Sequence, residues 1–293
     1  MVVEVFVLKV DDDINTVVHE ALERLRWRDV IGQESVVLIK PNLLTMPKRG
    51  ITTDMDLLRS VINIVKERAK RVIIGETDST GRTFDEIIDT LDKSNLNCDI
   101  LNLSRDETLI VNGNHGNYNL PKLVFESHLI NLPVLKTHTL TKITGAIKNL
   151  FGLIQDRDKE SLHWKIDGVL ADLYEILQPK LNILDAIYSM DGNGPIYGRV
   201  RYTGFIMASR DALALDCAAC ELIGLDPKGV DHLRIAMSKR ALEYKVVGEV
   251  GDLERLKDFK IPNTTFDKFS AQLLRYYNVR RVLRPIVKWF MKG

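Results

Sequence analysis

The run Ser-Val-Val-Leu-Ile-Lys at residues 35–40 is short and continuously apolar, with none of the alternation of a half-exposed strand. A strand of that kind has to be covered on both faces, which is the mark of a parallel sheet inside an α/β protein. The signature returns at Arg71–Gly75, Leu129–Lys136 and Leu181–Ala186. Between these runs lie stretches with helical spacing of apolar residues, at Ile14–Trp27, Met55–Ala69 and Ile166–Leu177. Val2–Val10 opens the chain as a strand. A strand at Gly204–Ser209, helices at Ala212–Ile223 and Val230–Lys239, and a strand at Tyr244–Val247 close the pattern. Such alternation means βαβ crossovers. The predicted fold is α/β, with a mostly parallel, Rossmann-like sheet of about seven or eight strands flanked by helices.

Two regions depart from the rhythm. Within 98–127, Asp99–Leu103, Leu109–Val111 and Lys122–Phe125 read as short strands, with a turn cluster at Asn112–Asn117, so an antiparallel insertion or sheet edge is expected. From about Asp267, apolar residues such as Leu273, Leu274, Tyr277 and Ile286 interleave with Arg275, Arg280, Arg281 and Lys288. The chain is therefore divided into one α/β domain, 1–262, and a basic amphipathic C-terminal tail, 263–293, which Pro285 interrupts. A tail of this kind can contact RNA or an anionic membrane surface, or pack on the domain or on a second subunit of a homo-oligomer.

Composition narrows the function classes. The formal net charge is +1, so no field of the whole chain draws in nucleic acid or membrane. No apolar stretch reaches the roughly 18 residues that a membrane span needs. The start, Met1-Val-Val-Glu4, lacks the basic opening of a signal peptide, and the expected compartment is the cytoplasm. The three cysteines are Cys98, Cys217 and Cys220; an odd count argues against a disulfide framework. Cys217 and Cys220 form C-x-x-C, but on an Ala-rich helix, where two small core residues are favoured over a redox or metal pair. There is no G-x-G-x-x-G after the first strand, no P-loop, no G-x-S-x-G and no H-x-x-x-H.

In open parallel sheets, ligands bind beyond the carboxyl ends of the strands. This chain puts polar residues there repeatedly: Lys40-Pro-Asn42, Glu76-Thr-Asp78, Lys136-Thr-His138, Asp185 with Asp191-Gly192-Asn-Gly194, and Ser209-Arg-Asp211. Five strand ends are expected to converge on one rim. The densest stretch runs from Lys136 to Gly152. A helix starting near Thr139 or Thr141 would aim its free N–H groups at that rim and set Thr141, Thr144 and Lys148 in one stripe. Lys40, Lys136 and Lys148 suit a phosphate or carboxylate, with Asn42, Asn149, Thr141, Thr144, Gly192 and Gly194 as further ligand contacts. His138 and Asp185 are the candidates for moving protons, with Lys136 as partner of the otherwise isolated Asp185. Glu76, Asp78, His138 and His163 could instead assemble a divalent metal site from separate strand ends. Asp216, on an apolar helix, reads as a cap for a buried network.

Three of these segments together resemble one family. They are Leu38-Ile-Lys-Pro-Asn-Leu43, Asn131-Leu-Pro-Val-Leu-Lys-Thr-His138 continuing to Lys148-Asn-Leu-Phe-Gly152, and Asp185 through Asp191-Gly-Asn-Gly-Pro195. Ser209-Arg-Asp211 and Asp216 continue a match over about residues 35–250 to the domain of unknown function 362 (DUF362). The resemblance implies a shared α/β core, to which many relatives append a ferredoxin-like module with iron–sulfur cysteines. This chain has no cysteine after Cys220, so a self-contained cluster is not expected and redox chemistry would need an external iron–sulfur or flavin electron donor. The leading expectation is an enzyme acting on a small anionic metabolite. The alternatives are a non-catalytic ligand- or metal-binding protein, or one docked on RNA or membrane through its tail.

Overall fold

The structure, a computed structural model, describes residues 2–11, 13–43, 48–79, 82–248, 256–265 and 267–268. The chain begins with β1 (Val3–Lys9), α1 (Ile14–Arg24), β2 (Val36–Pro41), α2 (Met55–Lys66), β3 (Arg71–Glu76) and α3 (Phe84–Ile88). Next come β4 (Asp99–Asn102), β5 (Thr108–Gly113), β6 (Gly116–Pro121), α4 (Lys122–Glu126), β7 (His128–Leu132), β8 (Val134–His138) and β9 (Lys142–Thr144). After α5 (Ala146–Asn149) and α6 (Ile166–Leu177) follow β10 (Leu181–Asp191), β11 (Arg199–Ser209), α7 (Ala212–Leu222), α8 (Asp231–Lys239) and β12 (Tyr244–Gly248).

Among the described residues, ten strands make one sheet in the order β12-β1-β11-β10-β7-β2-β3-β4, with β8 extending beside β10 and β9 folded back on β8. Pairings from β10 through β7, β2 and β3 to β4 are all parallel, while β11 runs antiparallel to both β10 and β1. The loop of residues 192–198 is too short for the crossover a parallel neighbour needs, so it can only turn the chain back.

Successive strand residues feed opposite cores, as the pleat requires. Leu38, Ile73, Val5 and Val7 pack with α5, α6, α7 and α8. Val37, Ile39, Ile74, Phe6 and Leu8 pack with α1 and α2. The parallel strands are therefore covered on both faces, as the apolar runs demanded, and the chain is an α/β protein with a mostly parallel central sheet.

The sequence expectations need correcting at three places. Lys122–Phe125 is not a strand: Pro121 caps α4, and the partner of β5 is β6, zipped through the turn at Asn112–Asn117 in a separate two-stranded sheet. A short apolar run cannot by itself distinguish one helical turn from a strand. No helix begins at Thr139 or Thr141. Instead β8 turns back into β9, pairing Lys136 with Thr144, and α5 starts only at Ala146. The threonines of this stretch are β-branched and favour the extended backbone. Thr141, Thr144 and Lys148 thus do not form a helical stripe. Thirdly, β10 and β11 are longer than expected, each reaching 11 residues.

Of the basic tail, Lys268 donates to Asp167 and Asp231, each at 2.7 Å. The amphipathic stretch from 269 to 293 lies outside the described residues. Among the described residues no helix is long and apolar enough to cross a membrane.

Candidate functional site

Because β2, β3, β8 and β10 run parallel, their carboxyl ends share one rim, and that rim is occupied by buried lysines. Lys40 and Lys136 are 0% exposed and Lys159 6%. Such figures are rare for lysine, whose ammonium is normally left in water. Lys40 Nζ lies 2.7 Å from Glu76 Oε1 and donates to the Pro41 carbonyl at 2.8 Å. Among the described residues Lys136 Nζ has only neutral acceptors, Asn42 Oδ1 at 2.9 Å and the Ile51 carbonyl at 2.8 Å. Lys159 Nζ likewise meets Thr77 Oγ1 at 2.6 Å and the Ile154 carbonyl at 3.1 Å. Lys148 is half-buried. Among the described residues its ammonium makes no hydrogen bond or ion pair, and lies 4.7 Å from the Phe151 ring centre. Burial lowers Lys136 to about 7, with repulsion from Lys148 adding to it. Burial lowers Lys148 to about 8, helped by Lys159 and Lys40, and Lys159 also to about 8.

A set of asparagines holds these lysines apart. Asn149 Nδ2 donates to Asn131 Oδ1 at 2.8 Å and to the Lys40 carbonyl at 3.3 Å, while its Oδ1 accepts from Asn42 Nδ2 at 3.2 Å. Asn131 Nδ2 in turn reaches Asn182 Oδ1 at 3.1 Å and the Ala146 carbonyl at 2.9 Å. Asn42 and Asn149 therefore act first on the protein itself, joining the Lys40 and Lys136 ends. The Lys148-Asn-Leu-Phe-Gly152 stretch is explained by this packing. A Cβ on Gly152 would sit 2.5 Å from Glu76 Oε1 and 2.8 Å from Lys40 Nζ, so any larger residue would have to displace the ion pair.

The start of α5 is not open to a ligand. Asp216, from α7, accepts from Ala146 N at 2.6 Å and Ile147 N at 2.9 Å. A Cβ on Gly145 would stand 2.1 Å from Asp216 Oδ1. The cap expected of Asp216 is thus present, and it takes the amides that the sequence suggested for an anion. Burial pushes the Asp216 carboxyl up to about 7 despite these two donors.

His138 is 8% exposed and accepts from Leu140 N through Nδ1 at 3.0 Å, which places the ring hydrogen of the neutral form on Nε2. Burial and the charge of Lys148 hold it well below its ordinary range. His163 stacks on Phe151 with ring centres 5.7 Å apart. Both histidines thus stand around the Lys148–Phe151 pair.

Other candidates are turned elsewhere. Asp185 does not hydrogen-bond Lys136; its oxygens accept from Asp54 N at 2.8 Å and Ile187 N at 3.0 Å, fixing the start of α2 against β10. Burial raises Asp185 to about 7. Asp78 accepts from Phe84 N at 2.8 Å and Asn102 Nδ2 at 2.9 Å. Gly192 N donates to the Lys260 carbonyl and Gly194 N to the Gly192 carbonyl, so these amides serve the loop. Thr141 Oγ1 donates to the Ile143 carbonyl at 3.0 Å. Ser209-Arg-Asp211 ends a reversed strand beside Asn182, at the opposite rim, so four strand ends converge and not five. Among the described residues, no three His, Cys, Asp or Glu side chains gather as metal ligands would. Cys217 and Cys220 are buried in α7, and burial pushes the Cys217 thiol up to about 12, an environment that suppresses thiolate chemistry. A shallow depression lined by Gly32, Ser35, Arg68 and His128 opens at the amino ends of β2 and β7, away from the lysines.

Sequence reasoning missed Lys159. It lies in Asp156-Arg-Asp-Lys-Glu160, which reads as a solvated charged loop. Only the fold shows that the 3-10 turn Lys159–Lys165 brings it and His163 over the strand ends.

The family described as "Domain of unknown function (DUF362)" matches residues 37–221, more than half of the chain. That span contains Lys40, Glu76, Lys136, His138, Lys148, Lys159 and Asp216. A thylakoid-associated protein of Synechocystis sp. is 28% identical over 229 residues, covering 71% of this chain and 70% of that protein. A crystal structure of a Thermotoga maritima protein aligns with a TM-score of 0.41 at 12% identity. The alignment covers 73% of this chain and 60% of that one, less than two thirds of its length.

Two outcomes follow from the Lys40–Glu76 pair. Lys40→Met removes the ion-pair partner of Glu76, leaving it the Leu43 amide, and should cost about 3–5 kcal/mol in denaturant unfolding, most of it recovered in Lys40→Met/Glu76→Met. Gly152→Ala should destabilise by about 1–3 kcal/mol through overpacking, although alanine is the better helix former elsewhere; an unfolding midpoint equal to that of the wild type would refute the close approach.

Proposed function

Because the chain belongs to the DUF362 family, whose name assigns no reaction, we propose its function from the site itself: it binds a small anionic metabolite at the carboxyl ends of its parallel strands. The observation that carries this reading is Lys148, an ammonium without hydrogen bond or ion pair among the described residues, set among Lys40, Lys136 and Lys159. Among the described residues the one ion pair in this group joins Lys40 to Glu76, and Lys136 and Lys159 hydrogen-bond neutral oxygens alone. Buried charge without a counter-charge is unfavourable, and a bound phosphate or carboxylate supplies it. His138, neutral and with Nε2 as its remaining donor, is suited to hydrogen-bond the anion or pass it a proton. An enzyme of a cytoplasmic metabolite is the reading we favour. A second reading concerns location: the Synechocystis relative is named as thylakoid-associated, and a basic tail is suited to an anionic membrane surface, so the domain would work as a peripheral membrane protein.

The site is tested by separating stability from binding. Lys148→Met keeps the packing on Phe151 and removes the uncompensated charge. In scanning fluorimetry the variant should melt at or above the wild-type temperature, and the stabilisation of the wild type by inorganic phosphate or citrate should vanish. The sign of the pH dependence is fixed too. Folding lowers Lys136, Lys148 and Lys159 from 10.5 to about 7, 8 and 8, so between those values the folded chain holds fewer protons than the unfolded one. These lysines therefore make the free protein more stable as pH rises from about 7 to about 10, while anion protection fades above about 8. Protection that survives in Lys148→Met, or that grows above pH 9, would overturn the proposal.

A further inference from the structure

His232 lies outside the family match and is 0% exposed on α8. Among the described residues neither of its ring nitrogens has a hydrogen-bond partner. The nearest acid oxygen, Asp167 Oδ1, is 3.7 Å from Nδ1, too far for a hydrogen bond, and is itself without a partner. Buried polar atoms of this kind are uncommon and costly, about 1–3 kcal/mol each, so their presence calls for a reason. Thr144 Oγ1 is a further such atom, on β9 directly opposite Lys136. The two belong to the same neighbourhood: Lys142, on β9, donates to the Gly229 carbonyl at 2.7 Å, just before α8. Electrostatically, His232 feels Lys148, and His138 feels both Lys148 and His232.

His138 and His232 thus both face the charge of Lys148, and the Thr144 hydroxyl stands on β9 opposite Lys136; each can donate, and among the described residues none of these atoms donates to the protein. Charge sets the valence of what they receive. Among the described residues Lys136, Lys148 and Lys159 have no carboxylate in hydrogen-bond contact, and Glu76 and Asp185 act on Lys136 only from farther away, so more than one positive charge faces the anion. Shape narrows the class. Donors facing one cluster of lysines suit a compact group with several oxygens on one centre, while a dicarboxylate spreads its charges over several bonds.

We propose that the anion is a compact dianion of the phosphate-monoester class, and that His232 and Thr144 contact its oxygens together with Lys148 and His138. This rests on the anion-site reading above and deepens it. Asp167 stands 3.7 Å from the His232 ring, placed to support that ring once the other nitrogen is engaged by a phosphate oxygen. Lys268, bridging Asp167 and Asp231 at 2.7 Å each, holds that carboxylate in place.

The test is calorimetric titration of the full chain at pH 7 with inorganic phosphate, succinate and acetate, on wild type, His232→Gln and Thr144→Val. Phosphate should bind the wild type more tightly than either carboxylate, and each variant should lose about tenfold in phosphate affinity, the equivalent of one hydrogen bond. Thr144→Val, nearly isosteric, keeps the test open if His232→Gln fails to fold. Equal binding of phosphate and acetate, tighter binding of succinate, or variants that bind phosphate as the wild type does would each overturn the inference and leave the anion site standing. A wild type that binds none of the three would remove the anion site and the inference with it.

Discussion

A lysine ammonium has three donors and no acceptor, so a chain that buries one must bring oxygens to it. Lys40 sits at the end of a fully covered strand, and the oxygens come from three separate places: Glu76 from the neighbouring strand, the Pro41 carbonyl, and Asn149 from α5 at 3.5 Å. That single requirement ties β2, β3 and α5 together at the rim. It explains why residue 152 is glycine, since the chain following α5 passes directly over the ion pair. It also gives Asn149 its place, because the amide that completes the lysine's shell is the one that reaches Asn131 and Asn42.

The same rim then carries more positive charge than the protein compensates. Lys40 is neutralised by Glu76, while among the described residues Lys136 and Lys159 have carbonyl, amide and hydroxyl oxygens alone. The carboxylates that could have helped are used elsewhere: Asp185 fixes α2, Asp216 caps α5 and Asp78 holds the start of α3. A fold selected for stability alone would favour apolar side chains at these lysine positions. Four lysines gathered here are the local inconsistency on which the proposed anion site rests.

Much of this was legible in the residues. Continuous β-branched runs read as doubly covered strands, and parallel strands present their carboxyl ends together, so the sequence alone puts Lys40, Glu76, Lys136 and His138 on one rim. What failed did so for identifiable reasons. The residues of β9 read as the start of a helix because Asp216, the residue that sets where α5 begins, lies some seventy positions away in sequence. Ser209 was assigned to the wrong rim because the reversal of β11 depends on loop length and not on strand composition. Asp185 was matched with Lys136 because burial demands partners, but the partners turned out to be backbone amides, which sequence does not advertise. Lys159 and His232 could not be recognised, since a charged loop and a lone helical histidine look the same whether or not the fold turns them inward.

The most direct measurement of the central claim is the ionisation of the lysines themselves. Protein carrying carbon-13 at lysine Cε can be titrated by NMR from pH 6 to 11, with and without saturating phosphate, using Lys136→Met and Lys148→Met to assign the signals. The expected result is that Lys136 titrates near 7 and Lys148 near 8 in the free protein, and that both move upward when phosphate binds. Lysines that all titrate at the ordinary value of about 10.4, unmoved by phosphate, would contradict a buried cationic site that awaits an anion.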